Sequence, residues 1–502
     1  MNQPDSGQRA SHPGSLSGPF AMGASLLGAL AVRYWAFTVD DAYISLRYAR
    51  HLLAGQGLVF NPGERVEGFT SLTWTLLSAA LLPWTSQPLV ALKLLGLACA
   101  LLTLWVSLLI LRHLVPHRPD LLWLTAFLIA GAPCLVAWSV GGLETMLFAL
   151  LLTTTFYAYL TDQGVRGWPT WPLWALVATL TRPEAPLIVP VLVAHSMLFG
   201  SPRARVRVLR ALAVFLSLLA GFLAWRFMYY GSLLPNTYYA KVAGGGLPAA
   251  LGGARYLFEF ARCYGGPVGA ALVAGVLLGA NRPRGAGLLL VTVAAFFLTP
   301  LALGSDWMPQ FRYLAPYWAL AAVLVALGLE RVGDLLARQG PGVRGRFAQQ
   351  TIMVLVVVAF ALSYGYQVIL ADDPGGPRYG HYGVEVMYHA AAVENYIRAG
   401  RRLAELARPG DTLAAFAIGA VGYYSDLRII DAVGLTDKTI ARLDPAQRLT
   451  HILSLRPTYI EDVSGEATTS GLTALPEFPA HYVPLGFQGL DACLYVCRDR
   501  AH

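Results

Sequence analysis

The chain has 502 residues, of which 56% are hydrophobic and 13% charged, with a mean hydropathy of +0.52. Soluble domains are about a quarter charged, so this composition excludes an ordinary soluble fold and points to lipid as the solvent. The net charge of +8 does not indicate nucleic acid, because arginines gather in short connectors such as Arg203, Arg205, Arg207 and Arg210. That is the pattern of cytoplasmic loops in multi-pass membrane proteins.

Residues 1–15 read as a polar cytoplasmic N-terminus. The run 16–37 has only Arg9 before it and no small-residue cleavage site, so it reads as a retained first helix and not a signal peptide. Apolar runs recur at 70–84, 89–111, 121–138, 143–160, 171–181, 185–199, 209–229, 266–280, 287–303, 313–329 and 351–370. Most approach the roughly 17 to 25 helical residues needed to cross about 30 Å of hydrocarbon. Arginine-rich connectors put both the N-terminus and the segment before the last run on the cytoplasmic side, which demands an odd count. Taking 70–84 as a partial helix on the outer side keeps Arg112, Arg118 and Arg166 inside and predicts about eleven crossings. The fold expected is a polytopic α-helical membrane domain over 16–370, with a first outer loop over 38–72.

Beyond Leu370 the linker 372–378 is polar and rich in glycine and proline, and no later run is long enough to span. An amphipathic helix over 384–407 precedes strand-like segments at 412–418, 427–431, 458–461, 481–485 and 492–496, with helical patterns at 436–442 and 445–455. Residues 371–502 therefore read as a small extracytoplasmic α/β domain. Cys493 and Cys497 lie four apart on the last predicted strand, about 13 Å, and are expected not to pair.

The most informative stretch directly follows the first run, where Asp40 and Asp41 sit side by side at a membrane boundary. Deprotonating a sugar hydroxyl for attack on an anomeric carbon requires a positioned carboxylate or histidine, and either aspartate qualifies; the plainer reading is that they cap the following helix. Arg47, about two turns on, falls roughly on the same helical face, where a guanidinium suits a phosphate. Arg33, Arg182, Lys241 and Arg312 also fall near outer ends, the alternative for each being a side chain reaching for headgroups. Glu144 and Glu184 begin helices or turns on that side and are candidates for sugar hydroxyls or for pairing with Arg182. Asp306 beside Trp307 suits a sugar ring, and Tyr238 and Tyr239 next to Lys241 suit an acceptor groove, although aromatic residues are common at this depth.

These residues resemble the GT-C class of membrane glycosyltransferases, which take sugars from polyprenyl-phosphate carriers and carry an acidic pair in the first outer loop. The nearer resemblance is to the mycobacterial terminal β-(1,2)-arabinofuranosyltransferase family and its bacterial relatives. It is carried by Asp40-Asp41-Ala42-Tyr43-Ile44, Arg47-Tyr48-Ala49-Arg50, Asn61-Pro62-Gly63-Glu64-Arg65, Gly142-Leu143-Glu144-Thr145, Thr181-Arg182-Pro183-Glu184 and Leu234-Pro235-Asn236-Thr237. Gly304-Ser305-Asp306-Trp307-Met308 and Asp431-Ala432-Val433-Gly434-Leu435 extend it. The resemblance implies an inverting transfer of a sugar, with arabinofuranose favoured, from polyprenyl phosphate to an envelope glycan on the outer face of a bacterial inner membrane. Asp40 or Asp41 would be the base. No obligatory metal or cofactor is expected, since no Asp/His cluster supplies a site. The rivals are a lipid-linked sugar transporter or flippase, whose ionisable groups would sit at mid-membrane, and a non-catalytic envelope scaffold.

Overall fold

The structure, a computed structural model, describes residues 15–162, 167–241, 246–264, 285–306, 308–339, 343–371, 386–462, 475–485 and 493–500, with Gly266, Gly269 and Leu472. The run 266–280 lies outside the described residues apart from those two glycines, as does the linker 372–378. Trp307 is likewise outside them.

The chain opens with α1 (Ser17–Arg33), α2 (Asp41–Leu53), α3 (Leu72–Leu81) and α4 (Pro88–Leu114). Next come α5 (Asp120–Ala130), α6 (Pro133–Val140), α7 (Thr145–Thr161), α8 (Trp171–Thr181), α9 (Ile188–Phe199) and α10 (Pro202–Tyr230). A short α11 (Asn236–Lys241) leads to α12 (Leu247–Cys263), α13 (Ala286–Phe297), α14 (Thr299–Leu303), α15 (Trp318–Gln339) and α16 (Val343–Ala371). Burial separates these helices by role. From Trp318 to Leu329, α15 is buried on every side, as a helix apolar all round should be. In contrast α10 turns Leu209, Leu216, Phe227 and Met228 outward, an apolar surface stable only against lipid.

Among the described residues four helical segments are long and apolar enough to cross a bilayer, and five if one bent pair counts as a single span. This is fewer than the about eleven read from hydropathy: α1 and α7 have 17 residues, α8 has 11 and α9 has 12, all shorter than those four, and the run 266–280 lies largely outside the described residues. Several runs break at proline, which lacks an N–H and restricts the residue before it. The run at 121–138 becomes α5 and α6, bent by 57° at Gly131-Ala132-Pro133. Polar groups freed by that break find partners from neighbouring helices. The Leu128 carbonyl accepts from Trp318 Nε1 at 2.8 Å and Tyr364 Oη at 3.0 Å, and Cys134 N donates to Tyr264 Oη at 2.8 Å. Broken helices survive in lipid only where such substitutes exist. The arginines 203–210, read as connector, belong instead to the first turns of α10, which Ser201 starts by accepting from Ala204 N at 3.3 Å.

The C-terminal region follows as α17 (Val386–Leu406), β1 (Thr412–Ala415), α18 (Ile418–Ser425), β2 (Arg428–Asp431), α19 (Pro445–Ser454), β3 (Tyr459–Asp462), β4 (Tyr482–Leu485) and β5 (Cys493–Cys497). The sheet order is β2-β1-β3-β5-β4, with β1 parallel to β2 and β3, and β5 antiparallel to β3 and β4. All five expected strands form, but the first stops at Ala415 and α18 occupies residues read as its continuation and loop. Helix α18 has no polar face to announce it, since Ile418 to Val421 are buried. The pattern at 436–442 yields only a 3-10 turn at Ile440–Arg442.

Candidate active site

The C-terminal domain is fastened to the first loop by a polar seam. Asp40 accepts from Gly419 N and Ala420 N, each at 2.7 Å, so its carboxylate caps the start of α18, where unpaired N–H groups and the helix dipole favour an anion. A Cβ on Gly419 would collide with the Asp40 carbonyl oxygen, which makes glycine necessary at this approach. Burial pushes the Asp40 carboxyl up to about 7 against the pull of the two donors.

Arg47 serves the same seam. Its guanidinium donates to the carbonyls of Phe60 (2.8 Å), Leu427 (2.6 Å) and Gly422, and burial lowers its pKa to about 9. Asn61 pairs with β2 as a strand would, donating to Ile429 O at 2.8 Å and accepting from Ile429 N at 3.0 Å. Glu64 accepts from Arg428 Nε at 2.8 Å. The Asn61-Pro62-Gly63-Glu64 motif is therefore a docking element. On the far side of the loop Asn236 Nδ2 donates to Gly434 O at 2.7 Å, while Asp431 folds the 431–436 turn around itself by accepting from the N–H groups of Val433, Gly434 and Thr436. Glu67, pushed up to about 7 by burial, pairs with Arg226 at 2.9 Å.

Beside this seam opens a cavity of about 390 Å³ whose walls include Asp41, Glu144, Arg182, Glu184, Lys241 and Arg312. Thr70, Thr237, Tyr238, Tyr313 and Leu303 complete much of it, and Leu435 of the C-terminal domain closes one side. Arg182 is held by two carboxylates, Nε to Glu184 at 2.6 Å and Nη1 to Glu144 at 3.2 Å. Tyr317 Oη adds a bond to Glu184 at 3.2 Å. Arg312 is held by Asp306 through Nε at 2.8 Å and Nη2 at 3.4 Å. Gln310 and Phe311, at φ 53° and 50°, place Arg312 through left-handed backbone, a cost of order 1–3 kcal/mol per residue of the kind found at functional sites. Both guanidiniums also face the Tyr313 ring, at 5.8 and 5.5 Å.

What is left over defines the cavity. Among the described residues Asp41 and Lys241 have no hydrogen-bond or ion-pair partner, and Nη2 of Arg182 and Nη1 of Arg312 remain unbonded. The Thr237 hydroxyl is buried without a partner on the same wall. One base-competent carboxylate thus shares an open cavity with three cations that have donors to spare, the inventory for an anionic ligand and a proton acceptor. Among the described residues no group of three His, Cys, Asp or Glu is placed to hold a metal ion.

The sequence candidates divide accordingly. Asp41, Glu144, Arg182, Glu184, Tyr238, Lys241 and Arg312 converge on the cavity. Asp40 and Arg47 do not line it, because they serve the seam. Arg33 is exposed at the end of α1, away from the cavity. Tyr239 turns to the C-terminal domain, under Arg442 at 4.7 Å, and Asp306 reaches the cavity only through Arg312. Sequence reading missed Thr237 as a site residue, although it closes the Leu234-Pro235-Asn236-Thr237 motif, and Leu435, which no charge or spacing singles out.

Residues 385–498 match a family described as Domain of unknown function (DUF8728). The chain is 33% identical over 330 residues to the terminal β-(1→2)-arabinofuranosyltransferase of Mycobacterium tuberculosis, covering 61% of this chain and 49% of the relative. It is 28% identical over 366 residues to the enzyme of the same name from Corynebacterium glutamicum, covering 63% and 52%. The chain thus spans about half the length of the curated relatives it matches. In structure it resembles ArnT from Cupriavidus metallidurans bound to undecaprenyl phosphate, with TM-score 0.59 at 13% identity over 94% of this chain and 97% of that one. It also resembles the archaeal oligosaccharyltransferase AglB from Archaeoglobus fulgidus in complex with an inhibitory peptide and a dolichol-phosphate, with TM-score 0.56 at 12% identity over 93% and 72%. The protein therefore shares the fold of ArnT and AglB, carries apolar helices long enough to cross a membrane, and is similar in sequence to terminal arabinofuranosyltransferases.

Proposed function

We propose that the protein is an inverting glycosyltransferase that moves a sugar from a polyprenyl-phosphate carrier to a glycan acceptor, with Asp41 as the base. The carrying observation is the unpaired Asp41 carboxylate facing Arg182, Lys241 and Arg312 across one cavity. The acceptor hydroxyl loses its proton to Asp41 as its oxygen bonds to the anomeric carbon. The bond from that carbon to the phosphate oxygen breaks, and polyprenyl phosphate leaves with the electron pair. Lys241 and the unbonded edges of Arg182 and Arg312 hold the departing charge; Glu144, Glu184 and Asp306 fix the two arginines. Tyr238 and Thr237 contact sugar or acceptor. Asp40 and Arg47 act through the docked C-terminal domain and touch no substrate.

The similarity to arabinofuranosyltransferases favours arabinofuranose as the sugar and an envelope glycan as acceptor. The same similarity favours a bacterial inner membrane, and the arginine distribution supports about eleven crossings, including helices broken at proline, with an outward-facing domain over 371–502. The full chain in lipid nanodiscs, given polyprenyl-phosphate arabinofuranose and an arabinan oligosaccharide, should extend the oligosaccharide, and Asp41→Asn should slow this by about 10²–10⁴. Normal turnover by Asp41→Asn would refute the assignment of the base. Transfer of another pentose in preference would correct the sugar.

A further inference from the structure

A second basic site lies at the other end of α8 and α10, the helices that lead into the cavity-lining segments at Arg182 and Leu234. Helix α8 ends one residue before Arg182, and near the end of α10 Tyr229 Oη accepts from Leu58 N while Tyr230 Oη donates to Leu58 O, both at 2.9 Å. Both helices therefore run toward the cavity side. At their starts a cleft of about 660 Å³ opens between the Gly167-Trp168-Pro169 segment and the first turns of α10. Trp168, Val206, Arg203, Arg207 and Arg210 line it, and among the described residues no carboxylate does. The three arginines are spaced i, i+4 and i+7, which sets them on one face of the helix. From Arg207 to Tyr229, 22 residues of helix rise about 33 Å, close to the thickness of a bilayer core. The cleft thus sits at the opposite membrane boundary from Asp41.

Its lining combines cations with apolar surface: Trp168 is 73% exposed and Val206 50% exposed. A soluble anion would use the charges and leave the apolar wall in water. We propose that the cleft binds an anionic phospholipid, the phosphate among Arg203, Arg207 and Arg210 and the acyl chains along Val206 and Trp168. Charge complementarity and position at a membrane boundary are what select this ligand, since basic pockets between membrane helices take anionic headgroups. The inference does not depend on glycosyl transfer.

The full chain in detergent, titrated with phosphatidylglycerol or with phosphatidylcholine of the same acyl chains, tests it by native mass spectrometry of bound lipid. Wild type should prefer phosphatidylglycerol, and R203Q/R210Q should weaken that lipid roughly 30-fold while leaving phosphatidylcholine unchanged. R203K/R210K should keep most of the binding. Arg205→Gln, the match for Arg210→Gln, removes one charge from the same helix outside the cleft and should change binding less than about twofold. Equal binding of the two lipids by wild type, or an equal loss in Arg205→Gln, overturns the proposal. Displacement of phosphatidylglycerol by millimolar inorganic phosphate would assign the cleft to a free anion and overturn it as well. Should the double variant fail to fold, Arg210→Gln alone, with about fivefold weakening expected, decides the matter.

Discussion

The seam between the first loop and the C-terminal domain and the cavity beside it are built from the same residue types on opposite terms. In the seam the charges end satisfied: Asp40 by two N–H groups, Arg47 by carbonyls, Glu64 by Arg428. In the cavity the surrounding carboxylates hold Arg182 and Arg312 in place but stop short of using every donor, and among the described residues Asp41 and Lys241 have no partner. Lys241 is exposed and Asp41 half-buried, so water can serve both; the Thr237 hydroxyl on the same wall is buried without a partner, and such exceptions call for an explanation. Adjacent aspartates thus differ in what the fold gives them: Asp40 receives two N–H partners from the C-terminal domain, and Asp41 lines the cavity.

Substitutions can break this comparison, beginning with the strongest. Asp41→Asn should lower turnover by about 10²–10⁴ while the thermal midpoint moves less than about 2 °C, because no bond in the fold is lost. A large fall in the midpoint would return Asp41 to the seam. Gly419→Ala drives a methyl group into the Asp40 carbonyl; it should undock the C-terminal domain and speed protease cleavage in the linker 372–378 by tenfold or more, roughly, as a contact worth at least about 1.4 kcal/mol is lost. Unchanged cleavage would mean that the seam does not hold the domain.

Weaker effects sharpen the comparison. Lys241→Gln should raise KM for the lipid-linked donor about tenfold with kcat and stability near wild type, the loss of one charge-assisted contact. A fall in kcat alone would place Lys241 at the reacting centre. Asp40→Asn keeps one acceptor at the start of α18 and replaces a carboxyl that burial already pushes up to about 7. It should cost about 1 kcal/mol of stability by chemical denaturation and leave turnover within about threefold. If Asp40→Asn proved as inactive as Asp41→Asn with the domain still docked, the two regions would not be separate.

Much of this protein was legible in its sequence. Low charge and repeated apolar runs dictated a bilayer, because hydropathy sums along the chain whatever the packing. Alternating apolar residues marked all five strands, whose period of two is equally local. The loop after α1 and the Arg182-Pro183-Glu184 turn stood out as charged turns among apolar helices, and both reach the cavity. Helix α18 was missed because its buried residues leave no polar stripe, and the break before Pro133 inside the run 121–138 leaves no mark in hydropathy.

Which of two neighbouring aspartates docks the C-terminal domain and which lines the cavity was decided only by tertiary structure. The partners of Asp40 lie 379 and 380 residues along the chain, and those of Arg47 at Gly422 and Leu427 lie 375 and 380 residues away. Helical spacing puts Asp40, Asp41 and Arg47 near one another and says nothing about what stands opposite. The incoming domain claims two of them with its own N–H and carbonyl groups and leaves Asp41 facing open space. Sequence determined where the charge would be, and folding determined which charge would be left unpaired.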